Sequence, residues 1–286
     1  MNYKKISNTD LNISNIALGC MRISKMTIDE VEELILKAIE LGINFFDHAD
    51  IYGAGMSEYL FGEVLKRNPS LRSKMIIQTK CGIMKGYYDN SKQHIIESVK
   101  QSLQRLNTNY LDILLLHRPD ALMDLKEVSD AFDYLHSSGR VRYFGVSNMN
   151  YLQVELLQRH MKHKIIFNQL QLSIVHAILI DEGINVNMNN NDAINRGGDF
   201  INYSRLHEIT IQAWSVLQAS WKDGTFLNNP KYSALNEKLL SLAAKYQVTP
   251  AAIAVSWILR HPAKIQAIVG TTSVKHLAEI SKASSI

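Results

Sequence analysis

Apolar residues along this 286-residue chain follow two alternating rhythms. Short runs rich in β-branched residues are followed by longer stretches in which apolar positions recur every three or four residues. The short runs predict strands at 16–19, 44–47, 75–79, 111–116, 143–146, 166–169, 209–214 and 265–269. The longer stretches predict helices at 27–41, 57–67, 92–106, 125–138, 151–159, 200–207 and 235–246, another opening at Thr249-Pro250, and a last one from Val274. Local signals agree with the periods. Thr27 with Glu30 three residues on is a capping-box pair, and Gly42 stands where the first helix must stop.

Strand followed by helix, eight times, predicts an α/β protein with a parallel sheet. Eight repeats within 286 residues fit a closed (β/α)8 TIM barrel better than a doubly wound sheet. The nearly continuous apolar runs suit strands covered on both faces. Segments 3–6 and 11–14 flank Asn8-Thr9-Asp10 and predict an N-terminal β-hairpin before the first barrel strand. The loop after the sixth strand is long, about 171–198, and rich in asparagine: Asn185, Asn187, Asn189, Asn190, Asn191 and Asn195, then Gly197-Gly198. Loops of this length are usually functional or disordered, and both readings stand: a cover on the substrate side, or a surface insertion. The whole chain, 1–286, is expected to form one domain.

Composition narrows the function. Hydrophobic residues make up 46% and charged residues 20%, which excludes a disordered chain. No apolar run approaches the ~18 residues of a membrane span, and the start, Met1-Asn2-Tyr3-Lys4-Lys5, leads into no signal core. The net charge of +4 is scattered rather than striped, so nucleic acid is not an expected partner. Two cysteines, Cys20 and Cys81, make no disulfide framework, and no His/Cys cluster has metal-ligand spacing; a reduced cytoplasmic compartment and no metal are expected.

In a barrel, chemistry gathers at the C-terminal ends of the strands. Six ends carry polar or aromatic groups: Asp47, Lys80, His117, Ser147-Asn148, Gln169 and Trp214-Ser215. An inward carboxylate at the end of an apolar strand needs a cation, and Lys80 ends the neighbouring strand. Tyr52 follows Asp47 by five residues, and His117 ends the fourth strand. An ammonium beside a phenol favours phenolate and is expected to lower its pKa from ~10. His117 can donate a hydrogen bond to a substrate oxygen. The set suits proton delivery to a carbonyl oxygen, which calls for a hydride donor at the carbonyl carbon. No G-x-G-x-x-G fingerprint is present, so a nicotinamide must be held otherwise: its carboxamide by Ser147, Asn148 and Gln169, its ring against Trp214. Cys81, next to Lys80, reads either as a passive small buried residue or as a candidate for thiolate character. Trp221 reads either as surface packing or as a candidate for lining the substrate pocket. Glu58 and Gly62 suit packing and local hydrogen bonds, while His48, Asp50 and Arg118 are expected to point elsewhere or cap turns.

These residues also carry a resemblance. Gly42-Ile-Asn-Phe-Phe-Asp47-His-Ala-Asp-Ile-Tyr52-Gly53, Thr79-Lys80, Leu114-Leu-Leu-His117-Arg-Pro-Asp120, Gly145-Val-Ser-Asn148, Asn168-Gln169 and Gly270-Thr-Thr272, in this order, resemble the aldo-keto reductase family over nearly the whole chain. Segment 179–187 resembles a bacterial branch of it. The resemblance implies NAD(P)H-dependent reduction of aldehydes or ketones by a tetrad of Asp47, Tyr52, Lys80 and His117, with Tyr52 as the acid. It further implies Ser215 and Leu217 along the pyrophosphate, Gly19 to Met21 near the ribose, and Glu279 near the adenine. Members that prefer NADP usually carry Lys or Arg after the position of Gly270 and an Arg six residues on; this chain has Thr271, Thr272, Ser273 and His276. Hydroxyls at a helix N-terminus also hold phosphate, so NADP is the expected cofactor, with NAD left open. The family usually continues beyond the position of Ile286, and that C-terminal tail is expected to be absent here. A small-molecule carbonyl substrate and a monomer are expected. Two rival readings are a cofactor-binding redox-sensing regulatory protein and an inactive, truncated relic.

Overall fold

The computed structural model describes residues 1–185, 200–220 and 222–286. β1 (Tyr3–Lys5) and β2 (Asn12–Ser14) pair antiparallel as the expected hairpin. Eight parallel strands then close into a barrel in the order β3 (Ile16–Gly19), β4 (Phe45–Asp47), β5 (Ile76–Cys81), β6 (Leu111–Leu116), β7 (Val141–Ser147), β8 (Ile165–Gln171), β9 (Thr210–Trp214) and, after a short antiparallel pair β10 (Gln218–Ser220) and β11 (Gly224–Thr225), β12 (Gln266–Val269). β12 pairs with β3, aligning Val269 with Leu18, so the last strand closes on the first. The expected (β/α)8 barrel is the fold.

Helices α1 (Ile28–Glu40), α2 (Met56–Arg67), α3 (Lys92–Arg105), α4 (Leu125–Ser137) and α5 (Tyr151–His160) connect successive strands. Later in the chain stand α6 (Ile178–Ile184), α7 (Phe200–Leu206), α8 (Ser233–Tyr246), α9 (Pro250–Leu259) and α10 (Val274–Ser281). The caps follow the sequence. Thr27 and Glu30 form the reciprocal capping box of α1, and Ser91, Asp124, Asn150 and Thr249 accept the free N–H groups that open α3, α4, α5 and α9.

Period-two alternation divides each strand between two cores. On β4, Phe46 points outward and meets Phe61 of α2, while Phe45 points inward and meets Phe167 of β8 edge-to-face at 5.9 Å. The inner core also holds Ile113, Leu115 and Ile268, and the hairpin adds Ile6, Leu11 and Ile13. The hairpin therefore plugs one end of the barrel, and polar side chains gather toward the other.

Two elements escaped the periodicity. α6 lies inside the stretch expected to be all loop, and the β10–β11 pair is too short for its alternation to stand out. Asn185 ends α6 and its amide bonds the Asp181 carbonyl at 2.8 Å. Asn187, Asn189, Asn190, Asn191, Asn195, Gly197, Gly198 and Trp221 lie outside the described residues. Among the described residues, no helix is long and apolar enough to cross a membrane.

Candidate active site

Asp47 is the last residue of β4 and Lys80 lies near the end of β5, the adjacent strand. Their side chains are 3% and 0% exposed, and Lys80 Nζ donates to Asp47 Oδ2 at 2.8 Å. The same nitrogen donates to the His48 carbonyl at 2.7 Å and to the Tyr52 hydroxyl oxygen at 3.0 Å. An ammonium has three N–H groups, so this geometry uses all of them. Because Lys80 donates to the Tyr52 oxygen, the phenol's own proton is free to point elsewhere.

Tyr52 reaches this position because the chain stays tied to β5 after β4 ends. His48 N–H bonds the Gln78 carbonyl at 2.8 Å and Asp50 N–H bonds the Lys80 carbonyl at 3.0 Å. A single turn from Tyr52 to Gly55 follows, with Gly53 at φ 59°, Ala54 at φ 53° and Gly55 at φ 89°. Two of these three left-handed positions are glycine, the residue that adopts them without steric cost.

Burial and charge oppose each other here. Burial alone pulls Lys80 down, but the Asp47 carboxylate and the Tyr52 oxygen outweigh it and hold Lys80 above its ordinary value. For Tyr52, burial pushes the phenol up and Lys80 pulls it down; burial wins, and the phenol sits above its ordinary value. The sequence-based expectation of a lowered phenol pKa is thus corrected: depth of burial, which local sequence does not encode, outweighs the ammonium. A raised phenol stays protonated at neutral pH, as a proton donor must.

His117 follows the end of β6, half-buried, with its ring edge-on to Tyr52 at 6.0 Å. Burial, then Lys80 and Arg118, pull it down to about 2, so it is a neutral imidazole. His48 is fully buried, edge-on to Phe61 at 4.5 Å, and burial followed by Lys80 pulls it to about 3; it faces away from the mouth. Asp50 is pushed up to about 7 by burial and by Glu58. Glu58 accepts from Thr79 Oγ1 at 2.6 Å and from Arg105 Nε at 2.7 Å. Gly62 permits that contact between α2 and α3, since a Cβ there would lie 1.9 Å from the Arg105 carbonyl oxygen.

The remaining polar strand ends occupy the other side of the mouth. Ser147 Oγ donates to the Gln169 carbonyl at 2.9 Å, and Asn148 Nδ2 donates to Ser147 Oγ at 2.8 Å. Asn148 holds φ 58°, a conformation asparagine tolerates better than most residues. Gln169 Nε2 is turned inward, to Asp47 Oδ1 at 3.1 Å and Gln212 Oε1 at 3.3 Å. Trp214 is half-buried and its Nε1–H has no partner among the described residues. Ser215, at φ 54°, donates to Gln218 Oε1 at 2.8 Å, and Leu217 is partly buried. Gly270 lies beside Gly19 across the β12–β3 seam, where a Cβ on Gly19 would come within 2.9 Å of Ile268 Cγ2. Ser273 caps α10 by accepting from His276 N–H at 3.2 Å, while Thr272 and His276 are exposed and Thr271 and Glu279 are half-exposed. A half-buried indole, the exposed Thr272 beside a helix start and a seam kept narrow by glycine suit an elongated polar cofactor with one flat ring.

Comparison with known proteins agrees with this geometry. The model of the Aldo/keto reductase family matches residues 15–286. The chain belongs to the aldo/keto reductase family. It is 34% identical over 277 residues to the oxidoreductase YdhF of Escherichia coli (strain K12), covering 92% of this chain and 86% of that protein. Among solved structures it is similar to the thermostable aldo-keto reductase Tm1743, solved with the inhibitor epalrestat, with a TM-score of 0.79, 25% identity, and coverage of 100% of this chain and 95% of that one. It also shares its fold with an aldo/keto reductase from Klebsiella pneumoniae solved with NADP and acetate, with a TM-score of 0.75, 23% identity, and coverage of 96% and 87%.

The polar groups lie at the C-terminal ends of the barrel strands, the face on which barrels of this class carry their chemistry. Asp47, Tyr52, Lys80 and His117 come together, from β4 to β6 and the turns behind them. The candidate cofactor positions occupy β7, β8, β9, β12 and β3, which are consecutive around the barrel. The thiolate reading of Cys81 is corrected. Cys81 is buried, as is Cys20, and burial raises both thiols well above their ordinary value, so each is a small buried residue. Sequence reasoning missed Arg22. It follows Met21 in the loop after β3, and its Nη1 reaches the Gly270 carbonyl at 2.8 Å, placing a guanidinium beside residues 270–273, which include no Lys or Arg. Its signal was a lone arginine directly after a strand end.

Proposed function

We propose that this chain reduces an aldehyde or ketone to the alcohol with NADPH, Tyr52 giving the proton. The observation that carries this is the Tyr52 hydroxyl oxygen 3.0 Å from Lys80 Nζ, itself 2.8 Å from the Asp47 carboxylate. A reduced nicotinamide, when bound, supplies hydride to the carbonyl carbon. The chain's residues do the rest. Lys80 donates to the phenol oxygen, so negative charge arising there as the proton leaves is stabilised without rearrangement. The neutral imidazole of His117 donates to the substrate oxygen and orients it. Proton transfer from a placed donor contributes about 10²–10⁴ in rate.

Ser147, Asn148 and Gln169 would hold the carboxamide. Gln169 Nε2 is committed inward, so its Oε1 is the end left to accept a carboxamide N–H. Trp214 would offer its face to the ring. Ser215, Leu217, Gly19, Met21 and Arg22 would follow the ribose and pyrophosphate, and Gly270, Thr271, Thr272, His276 and Glu279 the adenosine end. The guanidinium of Arg22 and the N-terminus of α10 support the phosphorylated cofactor, as does NADP in the Klebsiella structure. We expect the enzyme to act as a cytoplasmic monomer, with residues 1–286 as one catalytic unit.

The test is Tyr52→Phe. Turnover of a reactive aldehyde is expected to fall at least ~100-fold, while quenching of tryptophan fluorescence by NADPH keeps its wild-type midpoint. Undiminished turnover would overturn the role of Tyr52. Absence of quenching by both NADPH and NADH in the wild-type protein would overturn the cofactor reading.

A further inference from the structure

Barrel interiors of this class are filled mainly by branched apolar side chains. Beneath the candidate site this barrel instead carries a layer of glutamines. Gln169, Gln212 and Gln266 are register neighbours on β8, β9 and β12, and Gln78 of β5 is the register neighbour of Asp47. All four are buried, Gln78 and Gln212 completely. Gln78 Nε2 donates to Asp47 Oδ1 at 2.6 Å and to Gln212 Oε1 at 2.8 Å. Gln212 Nε2 donates to Gln266 Oε1 at 2.8 Å, and Gln266 Nε2 donates to the Ser14 carbonyl at 2.8 Å.

The direction of this chain is fixed at both ends. The Ser14 carbonyl can only accept, so Gln266 must present its nitrogen there and its oxygen to Gln212. Gln212 must then present its oxygen to Gln78 and Gln169. At the other end the Asp47 carboxylate also only accepts, so Gln78 and Gln169 must both turn nitrogen toward it. Both ends demand the same polarity, and flipping any one amide sets oxygen against oxygen or nitrogen against nitrogen. Buried amides are costly where apolar side chains of similar volume would pack as well. Packing alone does not account for the layer, whereas aiming Asp47 does.

We propose that Gln78 is a positioning residue, oriented by the Gln212–Gln266 amide chain, that holds the Asp47 carboxylate against Lys80. It touches neither substrate nor cofactor; it acts through Asp47. The inference rests on the reading of Lys80 as the group that supports Tyr52, but its test does not need turnover.

The experiment follows Lys80 in the cofactor-free protein by 13Cε NMR of labelled lysines, assigned with Lys80→Met. Lys80 is faced by Asp47 of β4, by His48, Asp50 and Tyr52 of the segment that follows it, by Cys20 after β3 and by His117 after β6. With Asp47 released, Lys80 is left buried without its counter-charge, so its midpoint in Gln78→Met is expected at least about one pH unit below wild type. Gln212→Met is expected to lower it less, and Gln266→Met least. Thermal stability, by contrast, should not follow that order, because Gln212→Met leaves three buried amides short of a partner (Gln78, Gln169 and Gln266), whereas Gln78→Met and Gln266→Met each leave two groups so. An unchanged Lys80 midpoint in Gln78→Met overturns the proposal, as does a fall that merely tracks loss of thermal stability across the three variants. If Gln78→Met does not fold, Gln212→Met carries the same test. A lowered midpoint in a protein that turns over no carbonyl would uphold the positioning role and overturn the proposed function; normal turnover with an unmoved midpoint would do the reverse.

Discussion

The two sides of the barrel mouth are built differently. From β4 to β6, Lys80 has spent all three of its donors, Asp47 accepts from an ammonium and two amides, and neither side chain reaches solvent. From β7 round to β3, Trp214 is half-buried, Thr272 and His276 stand exposed, and Asn148 and Ser215 hold left-handed backbone. The Asp47–Lys80 pair is complete before anything binds. The other side presents exposed groups that a ligand would cover. Stabilising charge as it forms requires dipoles already in place, whereas a cofactor that must enter and leave is served by donors that water can hold meanwhile.

Substitutions can break or sharpen this contrast. The largest effect is expected from Lys80→Met. Stranding the buried Asp47 carboxylate should cost about 3–5 kcal/mol of stability, measured by urea unfolding, and turnover should fall at least ~100-fold. A variant as stable as wild type would show that the Asp47–Lys80 pair is not a self-sufficient unit. On the open side, His276→Arg should leave the unfolding midpoint in place and tighten NADPH about tenfold, with little change for NADH, as read by tryptophan quenching. Equal tightening of both cofactors would place the phosphate elsewhere.

A pH-dependent effect concerns Asp50, behind the Asp47–Lys80 pair. Its folded value of about 7 lies above the ordinary carboxylate value of 3.8. The folded chain therefore holds a proton that the unfolded chain has lost, and the associated stability, present at pH 4, is lost as the pH rises to about 7. Asp50→Asn should flatten that decline, gaining about 3–4 kcal/mol over wild type at pH 8 relative to pH 4. Unfolding free energies at the two pH values decide it, and parallel curves would remove Asp50 from the account.

Much of this was legible in the sequence, for specific reasons. The barrel could be read because each apolar strand run is followed by a helical period with its own cap, as in Thr27 with Glu30. The clustering of these side chains could be read because Asp47, Lys80 and His117 stand where an apolar run stops, and a barrel brings such ends together. The glutamine layer could not. Gln78, Gln212 and Gln266 sit inside strands, where a lone polar residue does not disclose whom it faces across the barrel. Arg22 was obscure because its partner, Gly270, is 248 residues away in the chain. The direction in which Tyr52 shifts depends on how deeply its hydroxyl lies, a tertiary property that no neighbouring residue announces.

The contact between Arg22 and Gly270 has a mechanical meaning. It crosses the seam where the first barrel strand meets the last, the one closure that cannot form until the chain is nearly complete. A ligand gripped by both lips of that seam acts as a clasp, and its affinity adds to the work needed to open the cylinder. Cofactor supply would then govern how long the folded enzyme survives proteolysis, apart from how fast it turns over.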